Sequence, residues 1–209
     1  MKKLVVPAYG WRTAKALFKY AETTKAKDPW SGGTNLTKAY KKNVTALLLV
    51  EQSKRCAYCG GRLFEKKPHR DHIAPKEKYR KWMFWPENLV LACFACNTDL
   101  KATFDPVVKE GATYRLTDFS IVHPYLDDPT HHINYAAAGL SILISPVNNS
   151  PKGLKTIQLF GLADPERAKQ RAKDLLLDSD VQHLYGNFNT LYQAVVDQIQ
   201  NQHLKMRMT

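Results

Sequence analysis

Two Cys-x-x-Cys pairs, Cys56/Cys59 and Cys93/Cys96, use every cysteine of this 209-residue chain. Such a turn sends both sulfurs the same way, and two turns supply four thiolates for a tetrahedral Zn²⁺. In a reducing compartment the pairing favours a metal over disulfides. Zinc bound by four thiolates is redox-inert and has no open position, so the site fixes structure and does not catalyse. Residues able to do chemistry lie within and beside this frame: Asp71, His72, Asn88 and Asn97. Phosphodiester hydrolysis needs a base to deprotonate water and a cation to hold phosphate. Neutral imidazole suits the first task near pH 7, and Asp and Asn oxygens suit a hard Mg²⁺ or Mn²⁺ for the second. Each residue also has an ordinary reading: Asn88 as a turn residue, Asn97 as a helix cap.

The elements around these residues must bring them together. "HRDHI" (69–73) reads as a short extended segment stopped at Pro75. Strand neighbours face opposite sides, so Asp71 and His72 share a site only if the strand ends or twists there. "ENLVLA" (87–92) reads as a buried strand, and "NTDLKATF" (97–104) starts a helix capped near Asn97 or Thr98. Upstream, "WRTAKALFKYAE" places Trp11, Ala14, Leu17, Phe18 and Ala21 at helical spacing. After the loop at 29–35, Thr34 or Asn35 caps a second helix reaching about Ser53, with Leu36, Tyr40, Val44, Leu47 and Leu48 inward. Downstream, "YRLTDFSIV", "LSILI" and "KTIQLF" are predicted strands. Asp164-Pro165 opens a helix. A last helix carries Leu184, Phe188, Leu191, Val195 and Ile199 on one stripe.

The formal net charge is +12, unevenly placed. Residues 1–81 hold 20 Lys/Arg against 6 Asp/Glu, whereas residues 82–209 hold 11 against 13. A basic segment of this size attracts phosphate backbones through counterion release. No Walker A or dinucleotide-binding glycine pattern occurs, which argues against ATP or NAD use by this chain. No apolar run reaches the roughly 18–20 residues of a membrane span. The apolar run before Pro7 is too short for a signal peptide. These features predict a cytoplasmic protein that binds nucleic acid and no membrane.

The pattern C-x-x-C…D-H-I-x-P…E-N-L-V-L-x-C-x-x-C-N-x-x-x-K, over roughly residues 54–105, resembles the HNH endonuclease superfamily in its zinc-stapled ββα-metal form. The resemblance implies an α+β fold: a ββα-metal core with a structural four-cysteine zinc site, flanked by mainly helical additions. It implies His72 as general base, Asp71 and Asn97 as ligands of Mg²⁺ or Mn²⁺, and Asn88 as the brace of the loop carrying the base. Asn97 stands where relatives often have His. Lys101 would face phosphate, and Lys76, Lys78, Arg80 and Lys81 would grip the backbone. Trp82, Phe84 and Trp85 either stack on a base or pack over the module, and His69 either approaches the metal or is solvated. The implied organisation is a helical region at 1–53, the nuclease module at 54–108 and an α+β/helical region at 109–209.

"HPYLDDPTHHI" (123–133) is similar to a segment in nuclease subunits of Septu-type and retron-associated anti-phage systems, which act beside an ATPase partner. Asp127, Asp128 and His132 then mark a partner or substrate surface, or else a capped turn with Asp128 before Pro129. DNA is the favoured substrate. The rivals are an RNA nuclease, for example one acting on tRNA, and a zinc-stapled binding module without catalysis.

Overall fold

A computed structural model describes residues 1–8, 11–63, 68–177 and 187–207. The expectations for Trp11, Ala14 and Leu184 lie outside its described side chains. Two helices open the chain, α1 (Trp11–Thr23) and α2 (Asn35–Glu51). Thr34 caps α2, its hydroxyl accepting from Thr37 N. Tyr40, Val44 and Leu48 face the core, but Leu36 and Leu47 are 39% and 37% exposed. The buried stripe of α2 is therefore narrower than the sequence predicts.

The central unit is an antiparallel hairpin of β1 (His69–His72) and β2 (Leu89–Ala92), followed by a short helix, Ala95–Lys101. Asp71 pairs with Val90 and His72 with Leu89. All four residues of β2 are fully buried. Such a strand needs cover on every side, and its free edge needs partners. The amide of Gln52, just past α2, supplies them: Leu91 N donates to its Oε1 at 2.8 Å, and its Nε2 donates to Leu91 O at 2.8 Å. Tyr125 OH donates to Leu89 O at 2.7 Å. The helix Ala95–Lys101 is wound wide, with Ala102 N donating to Asn97 O five residues back at 3.0 Å. It begins two residues before Asn97, so Asn97 lies inside the helix and does not cap it.

Between β1 and β2 a loop of short turns packs against both N-terminal helices. Arg80 donates to three carbonyls at the end of α1 and beyond: Ala21 O (2.6 Å), Thr24 O (2.7 Å) and Ala26 O (2.9 Å). These include carbonyls that a helix terminus leaves unpaired. Tyr40 OH donates to Phe84 O at 2.8 Å.

Downstream, β3 (Val107–Lys109) pairs with the two-residue β4 (Asp118–Phe119), and β5 (Ile133–Ala138) with β6 (Ser141–Pro146). Of the three predicted strands, "LSILI" forms β6. Only Asp118–Phe119 of "YRLTDFSIV" is strand. "KTIQLF" belongs to a helix, α3 (Pro151–Leu159). Ser150 caps α3 and Pro151 opens it, and burial of Gly153, Thr156 and Ile157 follows helical spacing. Gly153 is required here, because a Cβ on it would lie 2.0 Å from His132 O. Two further helices follow, α4 (Pro165–Leu177) and α5 (Phe188–Arg207). One core joins Leu17, Leu48, β2, Ile121 and Phe160, and a second joins β6, α4 and α5.

Candidate active site

The four cysteine sulfurs lie within 4.8 Å of one another, a cluster that can hold zinc. Cys56 and Cys59 come from the turn after α2, and Cys93 and Cys96 from the β2-to-helix turn. Crowding splits their titration. A hydrogen bond from Cys56 is the first cause holding Cys93 down to about 7, and burial pushes Cys56 up. Cys59 is held low by the same neighbour. Arg167 of α4 lies close enough to Cys96 and Cys59 to bring positive charge to sulfurs that would be thiolates on a metal. Tyr58, inside the first Cys-x-x-Cys turn, donates its hydroxyl to Asp71 Oδ2 and stacks on Phe160 at 4.1 Å. The sulfur knuckle thus reaches directly into the neighbouring site.

β1 ends at His72, and its last two residues line one cavity of about 460 Å³ with Arg70, Asn97 and Lys101. The strand end meets the condition under which neighbours can share a site. His72 lies 2.8 Å from Met83 O through Nε2. A carbonyl only accepts, so Nε2 carries the proton and Nδ1 is left as the acceptor. The Trp30 ring meets the imidazole edge-on at 4.5 Å. Burial lowers the His72 pKa to about 3, so the ring is neutral at pH 7.

Asp71 is 6% exposed. Burial pushes its pKa up, and Lys101 and Tyr58 pull it back. Lys101 lines the cavity but is drawn inward. It is 2% exposed and donates to Asp71 Oδ1 (3.1 Å) and His72 O (2.9 Å), because the buried carboxylate is its nearest countercharge. Asn97 turns its Nδ2 to His69 Nδ1 at 3.1 Å. His69, half-buried, thereby uses Nδ1 to orient the amide. Asn97 Oδ1 accepts nothing among the described residues and remains available. A buried carboxylate that favours a cation, with an unused amide oxygen on the same cavity, fits a hard divalent ion. Asp71 and Asn97 would hold it.

Asn88 is fully buried behind the cavity and braces the loop. Its Oδ1 accepts from Ala74 N (2.7 Å), and its Nδ2 donates to Ala74 O (3.0 Å) and Trp82 O (3.1 Å). Two groups absent from the sequence reading support it. Tyr114 OH donates to Asn88 Oδ1 at 3.0 Å and lies 2.8 Å from His123 Nε2. His123 Nδ1 accepts from Tyr125 N and Leu126 N, so Nε2 carries the proton and donates to Tyr114. His123 opens the segment 123–133, so this segment buttresses the loop from behind. Only the position of His123 within that segment hinted at it; Tyr114 carried no local signal.

The remaining marked residues are engaged within the chain. Asp127 accepts from Lys152 (2.9 and 3.0 Å) and from His123 N (2.8 Å). Asp128 caps the turn Pro129–His131, and His132 Nδ1 lies 2.7 Å from Ser150 Oγ. Lys76 pairs with Asp28 (2.9 Å) and Glu77 (2.8 Å), Lys78 with Asp105 (2.7 Å), and Lys81 with Glu110. Arg80 is the staple to α1. Trp82 stacks on Tyr79 at 5.0 Å, Phe84 packs against Trp30 and Tyr40, and Trp85 stacks on Phe18 at 5.1 Å. These rings serve packing.

Residues 56–103 match a family model described as HNH endonuclease. This segment is an HNH domain. A relative of the chain, Septu protein PtuB from Bacillus mycoides (strain KBAB4), is 25% identical over 186 residues. The match takes in 78% of this chain and 59% of that protein, so the chain spans less than two thirds of its relative. The HNH domain thus contains the cysteine cluster, both strands of the hairpin and the helix bearing Asn97 and Lys101. Among the described residues, no helix is long and apolar enough to cross a membrane.

Proposed function

We propose that the chain is a metal-dependent endonuclease that hydrolyses phosphodiester bonds of DNA as a cytoplasmic effector of anti-phage defence. One observation carries the reading: β1 stops at His72, so that Asp71 and His72 line a single cavity with Asn97. His72 is the general base, Asp71 and Asn97 hold Mg²⁺ or Mn²⁺, and Asn88 fixes the loop that orients the imidazole. The four cysteines hold zinc as a staple. Residues 54–108 are the nuclease module, flanked by additions at 1–53 and 109–209.

In this reading water attacks phosphorus in line and gives its proton to His72 Nδ1. The bond from phosphorus to the 3′ oxygen breaks, the departing oxygen takes a proton from solvent, and the products carry a 5′ phosphate and a 3′ hydroxyl. The divalent ion, when bound, supplies positive charge for the phosphate and the leaving oxygen. The kinship with Septu protein PtuB supports the defence role and, with the sequence likeness at 123–133, an ATPase partner. An assay matrix tests the proposal: plasmid, single-stranded DNA and total RNA, each with Mg²⁺, Mn²⁺ or EDTA, for wild type and His72→Ala. Metal-dependent loss of DNA by the wild type alone is expected. Loss of RNA with intact DNA would reassign the substrate, and equal cutting by His72→Ala would remove the base assignment.

A further inference from the structure

The cations expected to grip substrate are mostly neutralised inside the chain, whereas Arg70 on the same cavity and Lys41 on α2 are not. Arg70 precedes Asp71 on β1 and lines the cavity. Its Nη1 donates to Thr45 Oγ1 on α2 at 2.9 Å, and its Nε is buried without any hydrogen-bond partner. Lys41 lies one turn before Thr45 on the same face of α2. Its Nζ stands 5.1 Å from the centroid of Trp30, the ring that contacts His72. Among the described residues, neither Arg70 nor Lys41 has a carboxylate within ion-pair distance. They are also close enough to repel: after burial, Arg70 is the next cause lowering the Lys41 pKa. Two like charges thus stand together at the α2–β1 junction with no carboxylate paired to either, Asp28 acting on Lys41 only beyond ion-pair distance, and a guanidinium in that position is suited to phosphate oxygens.

We infer that Arg70 and Lys41 form the phosphate-binding clamp of this site, gripping the substrate backbone from the α2 side, while Lys78 and Lys81 contribute little. The inference rests on the nuclease reading and adds where the strand lies: across the junction of α2 and β1, past Trp30, with His72 at its inner edge. Lys41 stands outside the HNH domain, so the N-terminal helices become part of the substrate surface. Both residues belong to the strongly basic stretch 1–81.

Binding without catalysis separates the two ideas. Fluorescence anisotropy with a labelled 20-base-pair DNA duplex, and with single-stranded RNA of matching sequence, would use zinc-loaded full-length chain without added Mg²⁺ or Mn²⁺. Each phosphate contact contributes roughly one unit to the slope of log K against log salt. Arg70→Gln and Lys41→Gln should each lower the slope by about one unit and weaken binding roughly fivefold to tenfold near 0.1 M salt. Arg70→Lys should restore the slope, and Lys78→Gln and Lys81→Gln should leave it within a few tenths. If Arg70→Gln fails to fold, Lys41→Gln carries the same test from a helix surface. Unchanged slopes in Arg70→Gln and Lys41→Gln, with wild type binding normally, would overturn the clamp alone. Absence of any wild-type binding would overturn the nuclease reading with it.

Discussion

The HNH domain holds two clusters of ligand-type residues built on opposite principles. The sulfur knuckle has four identical soft donors, converging within 4.8 Å. The cavity beside it has a carboxylate, an amide and an imidazole, open to substrate and balanced for now by Lys101. The first can bind an ion completely and then do nothing more. In the proposed reading, the second would leave coordination for phosphate and a nitrogen for a proton. Tyr58 joins them: it stands within the first cysteine turn and ends on Asp71. A residue's distance from the chemistry is thus a poor guide to its effect, because the closed cluster sets the geometry of the open one.

Breaking the knuckle should have the largest consequence. Structural zinc commonly stabilises by about 10–16 kcal/mol. Cys56→Ser or Cys93→Ser should lose zinc and lose protease protection over residues 54–105. Zinc content and limited proteolysis check this. Next in size is the base. His72→Ala should slow cleavage by about 10²–10⁴-fold, with zinc content and DNA affinity unchanged, as single-turnover rates and anisotropy would show. A knuckle variant that folds normally yet does not cut, or a base variant that unfolds, would erase the contrast.

A third change sharpens the contrast from behind the cavity. Tyr114→Phe removes only the hydroxyl between His123 and Asn88, leaving the buried His123 Nε2–H unpaired. A loss of about 1–3 kcal/mol in unfolding free energy is expected. If the brace positions the loop, kcat falls while KM stays constant; an unchanged kcat would make Tyr114 merely structural.

A fourth effect comes from pH. His72 and His123 are buried and neutral, with pKa values lowered to about 3 by burial. A base whose folded pKa is depressed is destabilised by acid, because the unfolded chain takes up protons first. Stability should therefore be full above about pH 6.5 and fall as pH drops toward 3, by about 1 kcal/mol per imidazole per pH unit. Denaturant melts at pH 7 and pH 5 measure it, and His123→Gln should shrink the difference.

Much of the site was readable because it is local. Cysteine spacing, the Asp71-His72 pair before Pro75 and the apolar run of β2 each depend on near neighbours. What escaped depends on residues far apart in the chain. The Lys76–Asp28 pair spans 48 residues, and the brace joins Asn88 to Tyr114 and His123. Lys101 has the right composition for a phosphate contact, but a buried carboxylate outcompetes solvent for it. "KTIQLF" misled through its β-prone Thr, Ile and Phe. The signals that decide it lie just upstream, in the Ser150 cap and Pro151, and in the helical spacing of Gly153, Thr156 and Ile157.

The central claim is that Asp71 and Asn97 offer one site to a hard divalent ion beside a neutral His72. Titration of zinc-loaded protein with Mn²⁺, followed by electron paramagnetic resonance, tests it without any substrate. One bound Mn²⁺ per chain is expected in the wild type and in His72→Ala, with affinity lost in Asn97→Ala. Undiminished Mn²⁺ binding by Asn97→Ala, or none by the wild type, would contradict it.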